Sequence, residues 1–188
     1  MMKRDECFKI LARHVTDDEV VVSTYSSAVD WLALGERTLN YFSVGAMGLD
    51  SSHALGLALG RPDKRVICLQ GDGSFLMNLG CLVTIAAAAP KNLVHLVVQN
   101  GTYEANGSHP IPNNNADFAA MAKSAGYPHA YEFSQLANFE QQAGHIIKQD
   151  GPVFATLRVE PSGPLTYDYP KLYDAARREA IKAALCRP

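Results

Sequence analysis

Val66-Ile67-Cys68-Leu69-Gln70-Gly71-Asp72-Gly73-Ser74 runs from a continuous apolar stretch into an aspartate bracketed by glycines. A second unit of the same design follows, Leu93 to Val98 and then Asn100-Gly101-Thr102. Each apolar run has the length of a buried strand, and the segment between them has the length of a helix. Two such strands joined by a helix lie parallel, which brings Asp72, Asn100 and the glycine turns to the carboxyl edge of one sheet, where open α/β folds bind ligands. One carboxylate, one amide oxygen and a turn carbonyl form a hard-oxygen set suited to Mg²⁺ that also holds a phosphate. The glycines let backbone N–H groups come close to that phosphate. A lone Gly-Asp-Gly marks an ordinary turn. The triplet, the 27 residues between Asp72 and Asn100, the strand ahead of each half and the Asn-Gly-x-Tyr ending make the signal specific.

Outward from this pair, Cys7-Phe8-Ile10-Leu11 has the spacing of an amphipathic helix. Glu19-Val20-Val21-Val22 reads as a short buried strand that ends in a polar turn, Ser23 to Ser27. Tyr41 to Gly48 leads into a small-residue helix through Ala54, Leu55, Leu57, Ala58 and Leu59, which Gly60-Arg61-Pro62-Asp63 stops. Phe75, Leu79, Leu82, Val83 and Ala86 keep a helical period, with Ser74 as its candidate cap. Pro90-Lys91-Asn92 ends that helix, and a polar loop follows from Glu104 to Asn115. A helix from Phe118 closed by Gly126, a helix capped by Ser134 through about Lys148, a last strand Val153 to Val159 and a charged helical tail at about 169–185 complete the reading. Alternating strands and helices predict an α/β fold, a parallel sheet with helices on both faces, as one domain over 1–188.

A hydrophobic fraction of 47% with 19% charge is that of an ordinary globular protein. The net charge of −2 offers no footprint for nucleic acid or an anionic membrane surface. No run approaches the roughly 18 apolar residues of a membrane span, and no apolar segment follows the opening Met-Met-Lys-Arg as in a signal peptide. Cys7, Cys68, Cys81 and Cys186 lack metal-ligand spacing and read as small hydrophobes in a reducing compartment, so the cytoplasm is expected.

From about Asp17 to Val159 the chain resembles the diphosphate-binding domain of thiamine-diphosphate-dependent 2-oxoacid decarboxylases, in particular the phosphonopyruvate and sulfopyruvate decarboxylases and the separate β subunit of the latter. Three stretches carry the likeness: Phe42-Ser43-Val44-Gly45-Ala46-Met47-Gly48-Leu49, Gly71 to Gly80, and Asn100-Gly101-Thr102-Tyr103. The resemblance implies that Asp72, Asn100 and the Thr102 carbonyl hold Mg²⁺. It also implies that Thr24, Ser26, Gly71, Gly73 and Ser74 lie against the diphosphate. The Gly45 carbonyl would accept from the cofactor's 4′-amino group, Met47 would hold the cofactor bent, and Ala46, Tyr103, Glu104 and Ala105 would also bind the cofactor.

In this family the cofactor is the electron sink for the carbanion left when CO₂ departs, and a glutamate on a different, pyrimidine-binding domain activates it. No glutamate here has that context, so the resemblance implies a separate α-type partner subunit, an active site at the interface and an oligomer. The substrate implied is a small anionic 2-oxoacid. A carboligase using the same carbanion, or a non-catalytic cofactor-binding or regulatory subunit, are the alternatives. Two departures bear on substrate identity. Glu104-Ala105-Asn106-Gly107-Ser108-His109 replaces a Ser-Thr-Gly-Gly-Gln-like loop, and Tyr25 stands where the first-strand turn usually has a glycine. His109 is a candidate for contacting a substrate anion or moving a proton. His53 could face the cleft or a subunit contact, and the remaining histidines read as surface or packing residues.

Overall fold

The apolar runs that do not alternate become strands buried on both faces, which is why they carry no period of two. A computed structural model describes residues 1–188 except Val44, Ala46, Pro164, Arg187 and Pro188. The chain runs α1 (Arg4–Ala12), β1 (Val20–Ser23), α2 (Tyr25–Leu32), β2 (Asn40–Phe42), α3 (Asp50–Gly60), β3 (Val66–Gly71), α4 (Asp72–Met77), α5 (Cys81–Ala88) and β4 (Leu93–Gln99). A small hairpin of β5 (Thr102–Tyr103) and β6 (His109–Pro110) follows, around a 3₁₀ turn at Glu104–Asn106. Then come α6 (Phe118–Ala125), β7 (His129–Phe133), α7 (Leu136–Lys148), β8 (Val153–Arg158), α8 (Tyr169–Leu172) and α9 (Ala175–Leu185).

Six strands form one parallel sheet in the order β2-β1-β3-β4-β8-β7. Neighbouring residues of a strand face opposite layers. Val21, Ile67, Leu96 and Leu157 meet Phe8, Leu11, Trp31, Phe139 and Ile146 of α1, α2 and α7. Val20, Val22, Cys68, Val97 and Phe154 meet Ala54, Ala58, Phe75, Ile85 and Phe118 of α3 to α6. After β1 the chain moves outward to β2, and after β3 it moves the other way to β4. Such a reversal opens a crevice between the carboxyl ends of β1 and β3. At the carboxyl end of β8, Met2 pairs with Val159 as a parallel bridge, and Glu160 N donates to Met2 O at 2.9 Å.

Several local expectations change. The polar turn after β1 is already the first turn of α2. The helix expected over Phe75 to Ala86 is two, because the Asn78 side chain turns away to donate to Gly48 O at 2.8 Å. Ser74 lies inside α4 behind a Gly71 N-cap, and Gln135 rather than Ser134 precedes α7, with no side-chain cap bond. The tail breaks at Tyr173–Asp174, where Asp174 caps α9 by accepting from Ala176 N.

Candidate functional site

At the crevice, Asp72 is 1% exposed and ties the two turns together. Its Oδ1 accepts from Gly73 N at 2.8 Å, while its Oδ2 accepts from Asn100 N at 3.0 Å and Gly101 N at 2.7 Å. A carboxylate has about four acceptor sites, so capacity for a cation remains after these three bonds. Burial pushes its pKa up to about 6 against the pull of the amides. Asn100 Oδ1 accepts from Thr102 N at 2.9 Å and fixes the turn that carries the Thr102 carbonyl. Gly101 has φ +79°, a conformation that suits glycine. Over the first turn lies the Tyr103 ring, so close to Gly73 that an added Cβ would sit 2.4 Å from it. The donor set is hard oxygen throughout, and the missing side chain at Gly73 makes room for the Tyr103 ring that closes over the turn. Those features fit Mg²⁺ and a diphosphate.

From the β1 side, Thr24 donates its hydroxyl to Ser43 O at 2.7 Å, and Ser26 shares a bond with Tyr167 at 2.8 Å. Between them Tyr25 has φ +42°. This left-handed conformation suits glycine, and a tyrosine there carries strain of about 1–2 kcal/mol.

Behind the cleft a buried polar chain crosses the sheet. Tyr127 Oη meets His95 Nδ1 at 3.2 Å, and His95 Nε2 meets Gln70 Oε1 at 2.7 Å. Gln70 Nε2 and Ser74 Oγ both donate to Asp50 Oδ1, at 2.5 and 2.9 Å, and Gly48 N donates to Ser74 Oγ at 2.8 Å. The Ser74 hydroxyl proton is therefore committed to Asp50. Burial raises the Asp50 pKa from 3.8 to about 6 and lowers that of His95 from 6.5 to about 3. The neighbouring thiol of Cys68 and phenol of Tyr127 are pushed up by burial and stay neutral.

Between pH 4 and 6 the unfolded chain thus holds one proton on the imidazole, and the folded chain holds one on the carboxyl. Folding moves it without net uptake, and the pair adds no pH slope to stability. In Asp50→Asn the unfolded state binds the extra proton alone. Stability is then expected to fall toward acid by about 1.4 kcal/mol per pH unit more steeply than in the wild type. Urea unfolding across that window measures it, and parallel slopes would refute the assignment.

Apart from Gly45 and Ala46, the residues named from the sequence for cofactor and metal all line this one cleft. Ala46 lies outside the described residues. Gly45 has φ +82°, and a Cβ there would meet the Tyr173 hydroxyl at 3.2 Å. His109 is exposed on β6 and does not line the cleft. His53 bonds Ser43 Oγ at 2.8 Å and packs edge-on to Tyr41, while His95 is a buried packing residue. Sequence reasoning missed Asp50 and Arg4. Arg4 is 2% exposed and lines the cleft. Its signal was present: it shares the buried face of α1 with Cys7, Phe8 and Leu11, at spacings of three, four and seven. Among the described residues no cluster of three His, Cys, Asp or Glu could hold a metal, and no helix is long and apolar enough to cross a membrane.

Comparison with known proteins agrees with this geometry. Residues 23–156 match the family described as thiamine pyrophosphate enzyme, C-terminal TPP binding domain. The sulfopyruvate decarboxylase subunit beta of Methanothermobacter thermautotrophicus is 35% identical over 86% of this chain and 84% of its own length. The phosphonopyruvate decarboxylase of Streptomyces viridochromogenes is 32% identical over 96% of this chain. The chain spans 45% of that relative's length. The crystal structure of benzoylformate decarboxylase from Polynucleobacter necessarius superposes with a TM-score of 0.74 at 20% identity, over 87% of this chain and 34% of the other, a likeness of fold.

Proposed function

This chain belongs to the thiamine pyrophosphate enzymes, through their C-terminal cofactor-binding domain, and from that membership we propose that it is the thiamine-diphosphate- and Mg²⁺-binding subunit of a decarboxylase for a small anionic 2-oxoacid. The observation that carries the reading is the junction of its two motif halves, Asp72 Oδ2 accepting from Asn100 N and Gly101 N. Asp72, Asn100 and the Thr102 carbonyl are the residues to hold the metal. Thr24, Ser26 and the Gly73 turn border the diphosphate, and Met47 supports the cofactor's bend. When bound, the cofactor supplies the electron sink for decarboxylation. The chain's own part is to bind and orient it, and to bury the charged end against Asp72, which is nearly free of solvent. Relatives named as a β subunit support a partner that brings the pyrimidine-binding domain and its glutamate. Sulfopyruvate or phosphonopyruvate is the substrate type, and the cytoplasm the compartment.

The test is turnover of pyruvate, sulfopyruvate and phosphonopyruvate by the chain alone and with a co-encoded pyrimidine-domain subunit. General acid–base activation is worth about 10²–10⁴-fold, so CO₂ release is expected to rise by at least about a hundredfold on adding the partner. Condensation products instead of aldehyde would favour carboligation. Mg²⁺-dependent cofactor binding without any turnover in the complex would favour a regulatory subunit, and absence of binding would remove the catalytic reading.

A further inference from the structure

Arg4 carries a charge into the interior that the matched family segment, which begins at residue 23, does not account for. Its Nε donates to Asp30 Oδ2 at 2.6 Å and its Nη1 to Glu104 Oε2 at 2.6 Å. The two carboxylates are themselves largely buried, their side chains 18% and 4% exposed. Glu104 is held from its other oxygen by Ser162 N at 2.9 Å. These bonds join α1 to α2 and to the turn after β5, and two of the three guanidinium nitrogens suffice for that. The third, Nη2, is buried and has no hydrogen-bond partner among the described residues. A buried, charged donor left unpaired is costly, more so than a neutral one. Arg4 also lines the cleft together with Thr24, Ser26, Asp72 and Gly73.

We propose that Arg4 Nη2 is a diphosphate contact: the N-terminal helix contributes a guanidinium to the same cleft, and its unengaged nitrogen donates to a phosphate oxygen of the bound cofactor. The inference rests on the proposed function for the identity of the cofactor, but not for the chemistry of the anion. Asp30 and Glu104 hold the guanidinium plane so that its remaining edge meets the anion already oriented, with little rotamer entropy left to lose. Glu104 and Asp30 outweigh the single positive charge, which makes the contact dependent on Mg²⁺ to offset their repulsion of the diphosphate. The arrangement ties the turn bearing Thr102 to the anion through Glu104 and Arg4, so the metal and phosphate ends of the site are set by one linked group of side chains.

The probe is inorganic pyrophosphate with Mg²⁺, titrated calorimetrically into the full chain beside thiamine diphosphate. A hydrogen bond to a charged group is worth about tenfold to a hundredfold in affinity. Arg4→Gln is expected to weaken both ligands by that factor, and Arg4→Lys by less. In the wild type, the ¹⁵Nη resonance that Arg4→Lys removes is expected to shift when pyrophosphate is added. A role confined to holding Glu104 would weaken binding in Arg4→Gln and leave that resonance unmoved, which overturns the proposal. Equal pyrophosphate affinity in wild type and Arg4→Gln also overturns it, as does a wild type blind to pyrophosphate. If Arg4→Gln fails to give a cooperative melt, the resonance in the wild type decides. Pyrophosphate bound through Arg4 with no affinity for thiamine diphosphate would leave the contact standing and defeat the functional reading instead.

Discussion

Replacing Asp72 with alanine is expected to remove Mg²⁺-dependent cofactor binding and to weaken the unliganded fold. The two effects have separate origins. The carboxylate accepts from three backbone amides, those of Gly73, Asn100 and Gly101. Alanine leaves all three without an acceptor in a buried position, at a combined cost of about 3 kcal/mol. Loss of the charge removes the only side-chain anion among the proposed metal ligands. Partners outside the first coordination shell already change metal affinity by about 10–100-fold, so a ligand should cost more than about a hundredfold. Asp72→Asn keeps one oxygen and part of the turn, and should recover stability but not metal affinity. Calorimetry with Mg²⁺ and thiamine diphosphate, together with urea unfolding, reads both. If Asp72→Ala bound the cofactor within tenfold of the wild type, the metal assignment would fail.

Phe75→Ala is expected to be among the most destabilising single changes in the core. The ring is 2% exposed and lies 4.8 Å from Phe118, 5.6 Å from Phe154 and 6.0 Å from His95, centroid to centroid. It belongs to α4 directly after Ser74, so it anchors the segment that begins with Asp72. Truncating such a buried aromatic costs about 3–5 kcal/mol through lost transfer energy and the cavity left behind. For a chain of this size that lowers the melting temperature by roughly 10 °C or more. Phe75→Leu refills part of the space and should lose less than half as much. Thermal melts of the two variants test the ordering, and a loss below about 1 kcal/mol in Phe75→Ala would mean that packing does not hold α4 in place. Cofactor affinity should fall with it, because the ligand must then also order the loosened turn.

The sequence disclosed the central strands and the cleft for one reason: both are local. Val66–Leu69 and Leu93–Val98 announce themselves by composition, and the turns that follow them carry their chemistry within four residues. Edge strands gave no such signal. Asn40–Phe42 is short, and His129–Phe133 mixes polar and aromatic residues, because each is covered only in part. The first turn of α2 was hidden by Ser26 and Ser27, which look like turn formers yet are buried. Ser134 matched the composition of a cap but lies one residue too early. Arg4 and Asp50 were illegible for a deeper reason. A charged residue reads as solvent-facing until its partners are known, and those partners lie 26 and 100 residues from Arg4 and 20 and 24 from Asp50.

The pairing of Met2 with Val159, and of Glu160 N with Met2 O, braces the opening segment against the end of β8, and the chain then continues through α8 and α9. Val159 N also donates to Gln99 O at 3.0 Å, so the same bridge bears on the residue before Asn100. Loosening the first residues would therefore be felt at the metal end of the proposed site rather than at a remote edge of the sheet.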